Sequence, residues 1–172
     1  MKKVVILTGS PVKKGTTDAL VEHFAYGAQA TGNKVERFDT AFMHITPCDG
    51  VRECKVEDDM TKITKSLVEA DVLVFATPIY YFTMSGQLKI AIDRFFNLGE
   101  TMKGKKKVYV LAAGGGPAEA MVGLTVTMDG IIKYMGWEKA GEVLAGNCPD
   151  PGALAKTEYC MQAYNMGQKV GM

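Results

Sequence analysis

A chain of 172 residues, 47% apolar and 23% charged, is large enough to bury a core as one domain over residues 1–172 without disulfides or structural metal. Its formal charge of +1 excludes the strong field that gathers nucleic acid or an anionic membrane, which leaves a small ligand. No apolar run approaches the roughly 20 residues that cross a bilayer, and the opening MKKVVILTGSP is broken by Gly9 and Pro11 too early for a secretion signal, so a cytoplasmic protein is expected.

The first predicted element is a strand, KVVILTG from Lys3, whose unbroken apolar run is that of a strand buried on both faces. TTDALVEHFAYGAQATG follows with helical spacing: Leu20, Val21, Phe24, Ala25 and Ala28 share one side and Gly32 stops it. KVERFDT is a second strand, and DDMTKITKSLVEA a second helix with Met60, Ile63, Leu67 and Val68 in step. DVLVFATP from Asp71 and KVYVLAAGGG from Lys107 are again continuous apolar strands. Helices are predicted over SGQLKIAIDRFFNLG and PAEAMVGLTVTMDGIIKYMG, then KAGEVLAG as a last strand and GALAKTEYCMQAYNMGQKV as a closing helix. Strand and helix alternating about five times predict an α/β, doubly wound, five-stranded parallel sheet with helices on both faces.

Such sheets bind ligands outside the carboxyl ends of their strands. Three Gly-, Ser-, Thr- or Pro-rich stretches fall there: GSPVKKGTT, TPIYYFTMSG and AAGGGPAEA. The first sets the hydroxyls of Ser10, Thr16 and Thr17 before a helix start, whose free N–H groups attract anions. Pro11 and Lys14 stand where a dinucleotide fingerprint needs glycine, and the five residues between Gly9 and Gly15 do not fit a nucleoside-triphosphate loop. A cradle for one terminal phosphate remains, such as that of flavin mononucleotide; alternatively Thr17 or Asp18 only caps the helix. The second stretch crowds Ile79, Tyr80, Tyr81 and Phe82 into a connection, which suits either a flat ring, packing under the next helix, or a subunit contact.

Together these stretches resemble the NAD(P)H-dependent FMN reductases of the flavodoxin-like superfamily, close to the branch that contains iron-sulfur flavoproteins. GSPVKKGTT is similar to that family's phosphate loop, and ATPIYYFTMSGQLKIAIDRF to its second flavin loop and following helix. The resemblance implies that Ser10, Thr16 and Thr17 bind the FMN phosphate, Pro78, Ile79, Tyr80, Tyr81, Phe82 and Thr83 the ring and ribityl, and Gly114 with Gly115 the far side. Val12 replaces the usual arginine of the first loop, which leaves charge neutralisation to Lys13, Lys14 and the helix end. Backbone N–H groups after Pro78 are expected at the polar edge of the ring, and the chemistry is borne by the flavin with no catalytic side chain.

The expected activity is therefore transfer of hydride from NADH or NADPH to FMN, then of electrons to a quinone, flavin, nitro compound or other small acceptor. A flavodoxin-like electron carrier and a flavin-binding module without turnover are the rival functions. YYFTMSG exposes more apolar surface than one ring covers, so a homodimer is expected with Met84 at the contact. His23 and His44 pair with no nucleophile at a meaningful spacing, KGKKK from Lys103 is a solvated turn or else helps recruit an anionic cofactor, Asp93 and Arg94 form surface or interhelix pairs, and Tyr134 and Trp137 pack in the core or between subunits. The iron-sulfur branch places a compact cysteine cluster ahead of a similar Asp-Asp-Met. Here only Cys48 and Cys54 stand there, with Val51 midway, and Cys148 and Cys160 are far along the chain. Two thiols could form a reversible disulfide or hold zinc with Asp49, Glu53 or His44, but an ordinary loop with no metal and no iron-sulfur cluster is expected.

Overall fold

A computed structural model of the chain describes residues 1–51 and 56–171. Strands β1 (Lys3–Thr8), β2 (Lys34–Asp39), β3 (Val72–Pro78), β4 (Lys107–Ala113) and β5 (Glu138–Ala145) form one parallel sheet in the order β2-β1-β3-β4-β5. The helices are α1 (Thr16–Ala30), α2 (Met60–Glu69), α3 (Gly86–Asp93), α4 (Phe95–Leu98), α5 (Val122–Met135), α6 (Pro151–Leu154) and α7 (Tyr159–Gln168). Side chains of a strand alternate between faces, so each central strand feeds two cores. Val5, Leu7, Leu73, Phe75, Val108 and Val110 meet α2, α3, α4 and α5, while Val4, Ile6, Val74 and Leu111 meet α1 and α7. The chain reverses its winding direction between β1 and β3, and that switch opens a crevice at their carboxyl ends.

Several elements depart from expectation. The closing helix is divided: Asp150 caps α6 by accepting from the Ala153 N–H at 2.9 Å, and the Thr157 hydroxyl bonds to Leu154 O at 2.7 Å and turns the chain before α7. Val68 lies one residue past the buried Leu67, about 100° round the helix, and is exposed. KGKKK is only partly solvated, because Lys106 is buried and its ammonium donates to Val68 O and Ala70 O at 2.8 and 2.7 Å, closing the end of α2. It also lies by the amino ends of the strands, away from the crevice, so it cannot recruit a ligand there. Trp137 is in the core, stacked on Phe75 with its indole N–H on Met102 O, whereas Tyr134 is exposed.

Helices α1 and α7 cross through two glycines. A Cβ on Gly27 would overlap the carbonyl oxygen of Tyr164, and one on Gly167 that of Phe24, so both backbones require the missing side chain. Gly27→Ala should therefore lower stability by about 1–3 kcal/mol, against the roughly 1 kcal/mol that alanine gains from helix propensity. Urea unfolding followed by circular dichroism checks the sign, and a stabilised variant would show that the helices can separate freely.

Candidate functional site

Four connections converge at the carboxyl ends of the strands. In the first, Gly9 N–H donates to Ala76 O at 2.9 Å, and the Ser10 hydroxyl accepts from Val12 N–H at 3.2 Å. Lys14 takes φ +57° and gives its N–H to Asp18 at 2.7 Å; Asp18 is in turn ion-paired with Arg37 of β2. The turn delivers Gly15, not a hydroxyl or carboxylate residue, to the N-cap of α1, and no side chain caps the helix. Thr17 and Asp18 stand inside the first turn, so the capping alternative is not what they do. The first-turn N–H groups of Thr16, Thr17 and Asp18 have no intrahelical partner and are left for a ligand.

The second connection is held at both ends. Ile79 N–H donates to Ala113 O at 2.8 Å, and the Ser85 hydroxyl donates to Gly9 O at 2.8 Å while capping α3 at Leu88, which ties the second connection to the first. Between them Tyr80 and Thr83 exchange backbone hydrogen bonds of 3.0 and 3.3 Å around Tyr81 and Phe82, whose φ values are +46° and +70°. Both central residues in the left-handed region make a type I′ turn, a geometry that glycine and asparagine favour and bulky aromatics disfavour. The turn thrusts Tyr81 into solvent at 97% exposure.

Gly114 and Gly115 begin the third connection, where a Cβ on Gly114 would press on Ile79 at 3.2 Å. A fourth, residues 146–151, is not among the three stretches the sequence singles out. Asn147 N–H and Cys148 N–H donate to Gly116 O and Gly114 O at 2.7 and 2.8 Å, and Gly146 approaches Ala118 too closely for any side chain. Its signal was present in GNCPDPG, a cluster of turn residues at the end of the last strand, like the other three. Burial pushes the Cys148 thiol above its ordinary range, with Asp150 adding to the shift, and the thiol donates to Gly146 O at 3.1 Å; it is a wall of the cleft, not a nucleophile.

The four connections enclose a cleft of about 350 Å³ that brings together Ser10, Thr16, Thr17, Pro78, Ile79, Tyr80, Gly114 and Gly115 with Cys148, Pro149 and Asp150. Through Ile79, Gly114 and Gly115 it opens into a second hollow of about 330 Å³ beside Tyr81 and Phe82. These volumes are those of small-molecule sites. Three expected residues are elsewhere. Lys13 is no part of the lining; its ammonium sits 4.8 Å over the Phe42 ring, because the left-handed turn at Lys14 faces this part of the loop outward. Thr83 closes the aromatic turn, and Met84 is buried in the core, so it is not a surface contact. Ile79 and Tyr80 spend their N–H groups on Ala113 and Thr83, whereas those of Tyr81, Phe82, Gly115 and Gly116 have no partner among the described residues. His23 bonds to Ala19 O within its own helix and His44 lies outside the cleft. Glu53 and Cys54 lie outside the described residues.

The residues present fit FMN: an anion-seeking helix start at one end of the cleft, and at the other an uncharged hollow with glycine N–H groups that have no partner among the described residues. Residues 2–144 match the model of the NADPH-dependent FMN reductase family. An iron-sulfur flavoprotein of Archaeoglobus fulgidus is 30% identical over 99% of this chain and 79% of its own. The structure of a Trp repressor binding protein from Bacillus subtilis superposes with a TM-score of 0.75 at 27% identity, over 95% of this chain and 99% of that one. An NADH:FMN oxidoreductase structure shares the fold at a TM-score of 0.76 and 22% identity, over 97% and 87% of the two chains. The chain belongs to the NADPH-dependent FMN reductase family, and is an FMN-dependent oxidoreductase that uses a nicotinamide nucleotide.

Proposed function

We propose that the cleft binds FMN with its phosphate on Ser10, Thr16, Thr17 and the start of α1, and its ring between Pro78–Phe82 and Gly114–Gly116. We propose too that the protein, a cytoplasmic homodimer of one-domain chains, reduces a small-molecule acceptor such as a quinone, flavin or nitro compound. The observation that carries this is the pairing of unpartnered first-turn amides with an uncharged hollow at the β1/β3 switch point. When bound, FMN would supply the redox chemistry between NADH or NADPH and the acceptor. The chain's part is to hold and polarise: the N–H groups of Gly115 and Gly116 would favour negative charge on the bound ring, and the open side of the hollow would admit nicotinamide and acceptor in turn. Asp150 is the one charged side chain lining the cleft among the described residues, and its carboxylate caps α6, which supports chemistry without a side-chain acid or base.

The purified protein should be yellow, and anaerobic NADPH or NADH should bleach its absorbance near 450 nm within the mixing time of a stopped-flow measurement. A yellow protein indifferent to both would transfer this chain to the electron carriers, and a colourless one that ignores added FMN would remove the flavin assignment. Protein prepared without oxygen is expected to hold no stoichiometric iron or acid-labile sulfide.

A further inference from the structure

The cleft offers the FMN phosphate no cation: among the described residues its lining holds no lysine or arginine, and Lys13 and Lys14 both stand outside it. Carboxylates instead flank the first connection on both sides. Asp39 closes β2 beside Thr8, the last residue of β1, and Asp18 stands in the first turn of α1, just past the N-cap Gly15. At a rise of about 1.5 Å per residue, Asp18 lies within ~5 Å along the axis of the helix start that would receive the phosphate, well inside the ~8–10 Å over which salt screens a charge. Its side chain is only 10% exposed, so water screens it little. Arg37 is the cation that meets both acids: Nη2 pairs with Asp18, and Nε and Nη2 with Asp39 at 2.8 and 2.7 Å. It reaches them because side chains two apart on a strand share a face, and Val35, Arg37 and Asp39 all turn toward α1.

We infer that Arg37 is a positioning residue for the FMN phosphate, acting through Asp18. The inference rests on the phosphate placement proposed above and adds what makes that place tolerable to a dianion. Asp18 divides its two oxygens. Oδ2 accepts the Lys14 N–H at 2.7 Å and so holds the left-handed turn that delivers Gly15 to the N-cap, which leaves the first-turn amides for a ligand. Oδ1 goes to Arg37. The loop thus gains a carboxylate acceptor that fixes its shape, and the guanidinium offsets the repulsion that this acceptor would impose on a phosphate. Arg37 does not line the cleft, so its effect is carried by Asp18 and by its own field. A staple between β2 and α1 would need no charge on either side chain. Here two carboxylates share one guanidinium, and the loss of Arg37 would leave both of them opposing the ligand.

Fluorescence titration of the whole chain with FMN and with riboflavin, which lacks the phosphate, tests this. Wild type should prefer FMN. Arg37→Met should raise the FMN dissociation constant at least ~10-fold and leave that of riboflavin within about twofold, while Arg37→Lys, which keeps the charge, should recover most of the loss. Asp18→Asn should act in the opposite direction: its amide oxygen still accepts the Lys14 N–H, the negative charge is gone, and FMN should bind about threefold more tightly with riboflavin again unchanged. Lys65→Met removes one positive charge from the exposed side of α2, across the sheet, and should change neither constant. A contact that served the fold alone would weaken both flavins in both Arg37→Met and Asp18→Asn, and that result overturns the inference. Equal affinities for FMN and riboflavin in the wild type would overturn the phosphate placement and this role together. A wild-type preference for FMN that persists undiminished in Arg37→Met would leave the placement standing and overturn the role alone. If Arg37→Met loses its far-UV circular dichroism signal, Asp18→Asn decides, since FMN binding unchanged or weakened in that variant overturns the role by itself.

Discussion

Replacing Thr16 by glutamate should strip FMN from the protein while leaving the fold as stable as before or slightly more so. Thr16 opens α1 and lines the cleft, and no side chain caps the first turn around it. A carboxylate there meets the positive end of the helix, an interaction worth about 0.3–1 kcal/mol to the apoprotein. The same carboxylate stands where the phosphate dianion would bind, and like charges brought together in a half-buried site cost several kcal/mol. The FMN dissociation constant should rise at least ~100-fold, equivalent to about 2.7 kcal/mol. Fluorescence titration of apoprotein with FMN and with riboflavin reads this directly. Wild type should prefer FMN strongly, and the variant should bind the two alike. Equal FMN affinity in both proteins would show that the phosphate lies elsewhere, and a lower melting temperature for the apo variant would show that Thr16 matters to the fold instead.

Removing either member of the Asp58–Arg94 pair should destabilise the protein by about 3–5 kcal/mol, because it strands an unpaired charge in the interior. The Asp58 carboxylate is fully buried and the Arg94 side chain is 4% exposed, with Nη1 2.5 Å from the carboxylate. Asp58 also accepts from the N–H groups of Thr46 and Met60 at 2.9 Å each, and Arg94 donates to Thr46 O at 2.9 Å, so together they clasp the connection before α2 to the end of α3. Desolvation by itself would raise the Asp58 pKa, but the bonds from Thr46, Arg94 and Met60 outweigh it and hold the carboxyl below its ordinary value. A pKa lower in the folded than in the unfolded state adds stability that is complete above the unfolded value near 4 and is lost as pH falls through the folded one. Urea midpoints of the wild type should accordingly fall from about pH 5 downward, and Asp58→Asn should both lower the midpoint at pH 7 and flatten that acid limb. An unchanged midpoint at pH 7 would mean that the clasp contributes nothing net.

The sheet and the position of the cleft were legible in the residues because they rest on local signals. A strand buried on both faces must be apolar throughout, as Val4–Leu7 and Val72–Ala76 are, and a chain leaving such a strand for a helix needs the turn residues that announce each loop. Once strands and helices alternate, the parallel order and the ligand-bearing edge follow from handedness and short connections, so Ser10, Thr17, Ile79 and Gly114 could be brought to one cleft by sequence alone. Tertiary contact decided what depends on partners distant in the chain. Lys13 has the composition of a phosphate ligand, yet its direction is set by the left-handed turn at Lys14 and by Phe42, 29 positions on. Arg94 reads as a member of a surface or interhelix pair, and only the fold supplies its buried partner, Asp58, 36 residues away. Which amides remain for a ligand is a matter of subtraction: every hydrogen bond between neighbouring loops, such as Ile79 to Ala113, removes a donor, and pairing across a sheet edge leaves no mark in either segment. Short-range chemistry thus determined the scaffold and the place of the site, while the directions of its side chains and the identity of its free donors arose only when the loops closed on one another.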